Sequence, residues 1–167
     1  SITSLQEETR RLLEPRTSSV NQRLKALDVL TKAGIAVNVN MAPIIPGINN
    51  HEVFDLIRTA GELGANSVSY IMVRLNGQIG QIFETWVKKA LPERADKILN
   101  QIKETHGGKL NASEWKNRMK GEGVLAQQVR DMVQLAQEKF IQGRVLEPLD
   151  LSLFEREPAK GRQMTLF

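Results

Sequence analysis

The stretch Ile35-Ala36-Val37-Asn38-Val39-Asn40-Met41-Ala42-Pro43-Ile44-Ile45-Pro46-Gly47-Ile48-Asn49-Asn50 decides the fold. Ile35 to Ala42 are rich in β-branched residues and partly alternate in polarity, the pattern of a strand, and Pro43 with the Pro46-Gly47 turn ends that strand in a loop. Just upstream, Val20, Leu24, Leu27, Leu30 and Ala33 recur at three- and four-residue steps. That spacing predicts an amphipathic helix, capped by Ser18 or Ser19 and closed by Gly34. Just downstream, Asn49 or Asn50 stands where it caps a second helix, which carries Val53, Phe54, Ile57, Ala60 and Leu63 and ends at Gly64. Residues 67–75 then read as a second strand. Helix, strand, helix, strand with short links makes a parallel sheet, because parallel neighbours need a crossover of about a dozen residues or more and a helix supplies it. The fold class is α/β.

Further upstream, Ser1-Ile2-Thr3-Ser4 reads as the end of a strand running into a short helix over 5–12, with acids early and bases late, which Glu14-Pro15-Arg16 stops. After Gly77 the pattern turns almost wholly helical, over 79–90, 92–105 and about 124–141, with a short turn near 112–116. The residues from 143 onward hold two apolar pentapeptides among prolines and mixed charge and read as an extended tail. The organisation is therefore 1–77 as an α/β unit, 78–142 as a helical extension and 143–167 as a tail.

Composition excludes several classes. With 41% hydrophobic and 25% charged residues the chain belongs with globular domains, neither disordered nor collagen-like. Its net charge of +4 is mild and interspersed, so charge alone does not mark a nucleic-acid binder. The absence of cysteine removes any disulfide framework, thiolate nucleophile or cysteine-held zinc or iron–sulfur cluster from these residues. No apolar run approaches the ~20 residues of a bilayer span and no signal sequence opens the chain, so a cytoplasmic location without a membrane partner is expected. The opening Ser1 and its strand-end character suggest a piece of a longer protein.

Several residues are candidates for a site. The loop holding Pro46 and Gly47 follows a strand's C-terminal end, where parallel α/β folds place ligands, although a structural turn accounts for it equally well. Asn38 and Asn40 share one strand face; they suit a polar ligand if that face lines a barrel interior and are merely solvated at an edge. Arg16 presents a planar donor fork for a carboxylate or phosphate, or else pairs with Glu14 on the surface. Arg74 ends the second strand and belongs at a pocket rim. His51 and His106 lack partners at metal-ligand spacing and read as non-catalytic. Trp115 among Lys109, Lys116, Arg118 and Lys120 forms a basic patch suited to a nucleic-acid backbone, or a solvated helix end.

Taken in order, Ser1-Ile2-Thr3, Leu13-Glu14-Pro15-Arg16-Thr17, Arg23-Leu24, Ala33-Gly34-Ile35, the Ala42 to Asn49 run and Arg74-Leu75 resemble the second half of a radical S-adenosylmethionine (SAM) enzyme. More closely, the chain is similar to the bacterial spore photoproduct lyase-like and DNA repair photolyase-like radical proteins, a likeness extended by Arg118-Met119-Lys120-Gly121-Glu122-Gly123. The resemblance implies the C-terminal part of a partial (β/α)6 barrel with parallel strands, followed by a mostly helical extension. It implies a 4Fe-4S cluster on a CxxxCxxC loop outside this chain, and reductive cleavage of SAM to a 5'-deoxyadenosyl radical, in a lyase-like reaction of DNA repair. By the same resemblance Ser1 and Thr3 approach the cofactor's ribose, the Pro46-Gly47 loop borders its adenine, Arg16 is a candidate for its carboxylate, and Arg74 lines the cofactor or substrate cavity. The tail residues Gln163, Met164, Leu166 and Phe167 resemble the peptide with which bacterial repair proteins bind the sliding clamp, and Leu151-Ser152-Leu153-Phe154 partly echoes it. Two other expectations stand beside this one: a protein- or nucleic-acid-interaction module, and a piece of a phosphate-binding (β/α)8 barrel enzyme.

Overall fold

The computed structural model describes residues 1–111, 119–144, 148 and 150–154. These form a mixed α/β unit of six α-helices and a two-stranded parallel sheet. In chain order the elements are α1 (Glu7–Leu13), α2 (Val20–Lys32), β1 (Asn38–Ile44), α3 (Val53–Glu62), β2 (Ser67–Met72), α4 (Gln78–Ala90), α5 (Ala95–Glu104) and α6 (Gly123–Phe140). Single 3₁₀ turns at Asn50–Glu52 and Pro92–Arg94 lead into α3 and α5.

Local chemistry explains these boundaries. Ser19 accepts from Gln22 N–H at 3.3 Å while the Gln22 side chain accepts from Ser19 N–H at 3.1 Å, a reciprocal cap that starts α2. Gly34, at φ +76°, lets the chain leave α2. The strand signal at Ile35 does not become β1, because Ile35 N–H still returns to Leu30 O at 3.1 Å. Pairing starts only where β2 stands opposite, Asn38 against Ser67. The ladder skips between Met41 and Ile44, around Pro43, which has no N–H to offer.

β1 and β2 are flanked by a third run of chain. Ile2 N–H donates to Asn40 O at 3.0 Å and Thr3 Oγ1 to Ala42 O at 3.4 Å, so residues 1–4 advance alongside β1 in its own direction. Val39, Met41, Val68 and Tyr70 point to one face and share a core with Leu27 of α2, Leu56 and Ile57 of α3 and Val133 of α6. α6 is thus part of the same core as the strands, although it begins about fifty residues after β2 ends. Its seat is close: a Cβ on Gly61 of α3 would lie 2.7 Å from Phe140 O. Gln137 of α6 also donates to Val68 O at 2.6 Å on the outer edge of β2, and Met72 N–H donates to Met119 O at 2.9 Å, so that edge is partly covered. A second core forms at the C-terminal ends of the strands, where Ile45, Val73 and Leu75 meet Val87 of α4 and Ile98 and Ile102 of α5.

Candidate functional site

At the C-terminal ends of β1 and β2 lies an open cleft of about 340 Å³, lined by Thr3, Glu14, Pro43, Arg74, Phe83 and Trp86 among others. The loop after β1 shapes one side. Asn49, 3% exposed, does not cap a helix; its Oδ1 accepts from Ile45 N–H at 2.7 Å and its Nδ2 donates to Thr3 O at 2.8 Å and Pro43 O at 3.0 Å. One amide therefore ties the strand end, the loop and the incoming N-terminal run together, which fixes the cleft floor. Gly47 N–H donates to Asn50 Oδ1 at 2.8 Å, and Arg94 donates to Gly47 O. A Cβ on Gly47, at φ +78°, would sit 2.5 Å from Gln101 Oε1 of α5. Gly47 is needed here for its left-handed backbone and for contact with α5, and Pro46 beside it is fully buried.

The cleft's charges are organised separately. Glu14 accepts from Thr3 Oγ1 at 2.7 Å and from Arg23 Nη2 at 2.6 Å. Burial pushes its carboxyl up, but the Thr3 hydrogen bond and the Arg23 guanidinium outweigh it and hold the group below the usual carboxylate range. Beneath it, Arg10 is 5% exposed and donates to Glu14 O at 2.8 Å, to Thr17 O at 3.0 Å and to Glu7 at 2.6 Å, so residues 14–17 are folded around a guanidinium. Arg16 is exposed, and Glu14 pairs with Arg23 rather than with it. Arg74 enters from the end of β2. Its Nη1 lies 3.7 Å from Met119 Sδ, and its Nε is buried with no hydrogen-bond partner.

Asn38 and Asn40 lie elsewhere, on the sheet face turned away from the helices. Ser67 Oγ donates to Asn38 Oδ1 at 2.8 Å, Asn38 Nδ2 to Ser69 Oγ at 3.1 Å, and Ser69 Oγ to Asn40 Oδ1 at 3.3 Å. Ser1 joins this face at its edge, donating to Asn40 O at 3.0 Å, beside a smaller hollow of about 210 Å³ shared with Arg23 and Asn38. Of the residues singled out by sequence, the structure therefore brings Thr3 and Arg74 into the cleft and Ser1, Asn38 and Asn40 onto the open face. It sets Gly47 against α5, buries Pro46 and leaves Arg16 in solvent. Sequence reasoning missed Phe83 and Trp86; their signal was the spacing of Ile79, Ile82, Phe83 and Trp86 along one helix face.

His106 is 3% exposed, with Nδ1 3.0 Å from Ile102 O, and burial pushes its imidazole down. His51 is exposed beside Gln6. Among the described residues no three His, Cys, Asp or Glu side chains gather where they would hold a metal ion, and no helix is long and apolar enough to cross a membrane. Lys120 Nζ stands 3.7 Å from the Tyr70 ring centroid, its ammonium pushed down by burial and by Arg130. Lys109 of the basic patch is exposed, whereas Trp115, Lys116 and Arg118 lie outside the described residues, as do Gln163, Met164, Leu166 and Phe167. No family model, curated protein or solved structure matches the chain.

Proposed function

We propose that these residues are the C-terminal part of a partial (β/α)6 barrel in a cytoplasmic radical SAM enzyme, lyase-like in its chemistry. One observation carries the reading: residues 1–4, β1 and β2 lie side by side in chain order, with α2, α3 and α6 all packed on one face and an uncovered Asn–Ser ladder on the other. Barrels place their helices on the outside only, whereas doubly wound sheets carry helices on both faces. Under this reading the polar ladder faces the barrel lumen.

The residues fit SAM. Ser1, Thr3, Asn38 and Asn40 offer neutral donors and acceptors of the kind that read ribose hydroxyls and base edges, and the Pro46-Gly47 loop stands at the end of β1 that such a cofactor approaches. They do not fit the 4Fe-4S cluster, since the chain has no cysteine, and the reading assigns its ligands to residues outside this chain. In enzymes of this kind the cluster and SAM together supply a 5'-deoxyadenosyl radical; the part of these residues is to orient SAM and keep water away. DNA as substrate or partner enters through the resemblance alone.

The test is to read the coding sequence upstream of Ser1 and to assay the whole product anaerobically with iron, sulfide, reductant and SAM. Three cysteines in a CxxxCxxC spacing and release of 5'-deoxyadenosine are expected, with release reduced about two- to tenfold by Thr3→Ala, the effect of losing one neutral hydrogen bond to the cofactor. An upstream sequence without those cysteines overturns the reading.

A second reading, an interaction module that binds a sliding clamp through its tail, has one observation in its favour. Leu151, Leu153 and Phe154 are 70%, 87% and 74% exposed in a turn closed by Phe154 N–H to Leu151 O at 3.0 Å. Burying two such side chains in a partner's pocket supplies about 3–6 kcal/mol. A peptide of residues 148–167 titrated with purified clamp tests it, and no binding at high micromolar concentration retires it.

A further inference from the structure

We infer that the strand-end cleft takes a flat aromatic ligand bearing a carboxylate or phosphate, its ring against Phe83 and Trp86 of α4 and its anion on Arg74. The inference rests on the reading above only in taking this as the reactive end of the sheet; it names a second ligand, the substrate that stands beside SAM.

The wall is the first observation. Ile79, Ile82, Phe83 and Trp86 recur at i, i+3, i+4 and i+7, so one face of α4 is continuously apolar, and all four line the cleft. Ile79 and Ile82 are 52% and 64% exposed, an unusual state for two large aliphatic side chains on neighbouring turns. Phe83 and Trp86 lie 5.3 Å apart at a 45° tilt and are only half-buried, leaving ring surface open to the cleft. A cleft of about 340 Å³ with apolar walls and few polar groups has the make-up of a small-molecule site. Two rings in the wall favour a planar guest over an aliphatic one.

Arg74 is the second observation. Its Nε is buried without a partner, and Nη1 has a thioether at 3.7 Å where a carboxylate would be expected. Among the described residues it has no ion pair. A partly buried guanidinium left unpaired is costly, and its planar fork matches a carboxylate or phosphate. The cleft's own acid does not serve, since Glu14 is held by Arg23 at 2.6 Å and Thr3 at 2.7 Å. The uncompensated charge at this end is therefore positive. Arg74 thus draws in a ligand that carries a net negative charge.

The ring could belong to a nucleotide or to an aromatic acid, and the experiment separates them. Isothermal titration of the chain is run with uridine 5'-monophosphate and uridine, then with 2-naphthoate and 2-naphthamide. The Trp115→Phe variant leaves Trp86 as the single indole and gives a fluorescence signal for the same titrations. At least one anion should bind at least tenfold tighter than its neutral partner and change Trp86 emission. The pair with the larger ratio names the source. Arg74→Ala should erase the ratio, Arg74→Lys should keep part of it, and Trp86→Ala should weaken charged and neutral probes alike. Equal binding of charged and neutral probes, no saturation by either anion at millimolar concentration, or a ratio that survives in Arg74→Lys and Arg74→Ala alike overturns the inference. SAM binding without anion binding would sink this inference and leave the earlier reading standing; anion binding by a protein that fails the cysteine and 5'-deoxyadenosine tests would do the reverse.

Discussion

Replacing Gly121 by alanine tests how residues 119–123 lock the end of β2. Three hydrogen bonds hold this segment: Met72 N–H to Met119 O at 2.9 Å, Glu122 N–H to Thr105 O at 3.0 Å, and Arg130 Nη1 to Gly121 O at 3.1 Å. Gly121 has φ +69°, and a Cβ there would lie 3.1 Å from Thr105 O, 3.2 Å from Ala126 Cβ and 3.5 Å from Met72 Cγ. A left-handed conformation costs an L-residue about 1–2 kcal/mol. Forcing a methyl against a backbone carbonyl and a helix adds about 1–3 kcal/mol, as overpacking does elsewhere. Gly34 supplies the control, because its φ is +76° and a Cβ there would meet nothing within 4 Å. Gly34→Ala therefore reports the conformational cost alone, and the lower chain entropy of unfolded alanine is common to both variants and cancels. The difference between them should be about 1–3 kcal/mol, roughly a five- to 150-fold change in the unfolding constant. Urea unfolding followed by circular dichroism measures both, provided the denaturant slopes agree. Equal destabilisation of the two variants would show that the segment is not packed on Thr105, Ala126 and Met72 and would refute this account of how it locks the end of β2.

Three further outcomes are expected. Glu7 is held at about 2, from an ordinary 4.5, chiefly by its hydrogen bond from Arg10 and then by the Val20 N–H; because the folded value is the lower one, its stabilisation is complete above pH 4.5 and is lost as pH falls toward 2. The acid limb of a melting-temperature profile should flatten between those values in Glu7→Gln, and an unchanged limb would contradict the Arg10 contact. Asn49→Ala leaves Ile45 N–H and the carbonyls of Thr3 and Pro43 without their partner, at about 1–3 kcal/mol for each group left unsatisfied; chemical denaturation should show at least one such increment, and a neutral result would mean the loop is held by other contacts. Gly61→Ala drives a methyl to 2.7 Å from Phe140 O and should separate α3 from α6 at a cost of about 1–3 kcal/mol, visible as a lower urea midpoint.

The elements with a strong local signal were legible in the sequence, and their partners were not. The stripe from Val20 to Ala33 with its Ser19 cap announced α2, and the strand, loop, helix, strand series around Pro43 announced the parallel pair, because each depends on neighbours within a few residues. Position alone offers Asn49 or Asn50 as a helix cap, yet the Asn49 amide reaches Thr3, forty-six residues away, which no local rule anticipates. α6 was visible as a long amphipathic helix, but a stripe of Ala126, Val129, Val133 and Ala136 does not say that it returns to β2 and α3. The strand-end rule placed Arg74 at a pocket rim and found it there. The same rule says nothing of α4, whose cleft-facing side is chosen by how the chain turns after Gly77.

The two polar regions around the sheet differ in what they lack. Strands buried on both faces run almost continuously apolar, whereas β1 and β2 alternate, so one face is built for water or a polar guest. On that face Asn38, Asn40, Ser67 and Ser69 hydrogen-bond to one another across the strands at 2.8 to 3.3 Å, and the ladder is satisfied as it stands. A guest there exchanges one set of neutral hydrogen bonds for another, which gives orientation and discrimination more than affinity. Arg74 is the opposite case, with a buried donor unmet and no acid to pair with among the described residues. A guest that brings an anion removes a standing cost as well as making a contact, so affinity should concentrate at the strand ends. Loss of Arg74 should therefore weaken binding of every anionic probe at the strand ends, while loss of Asn40, which belongs to the ladder and does not line the cleft, should leave that binding unchanged.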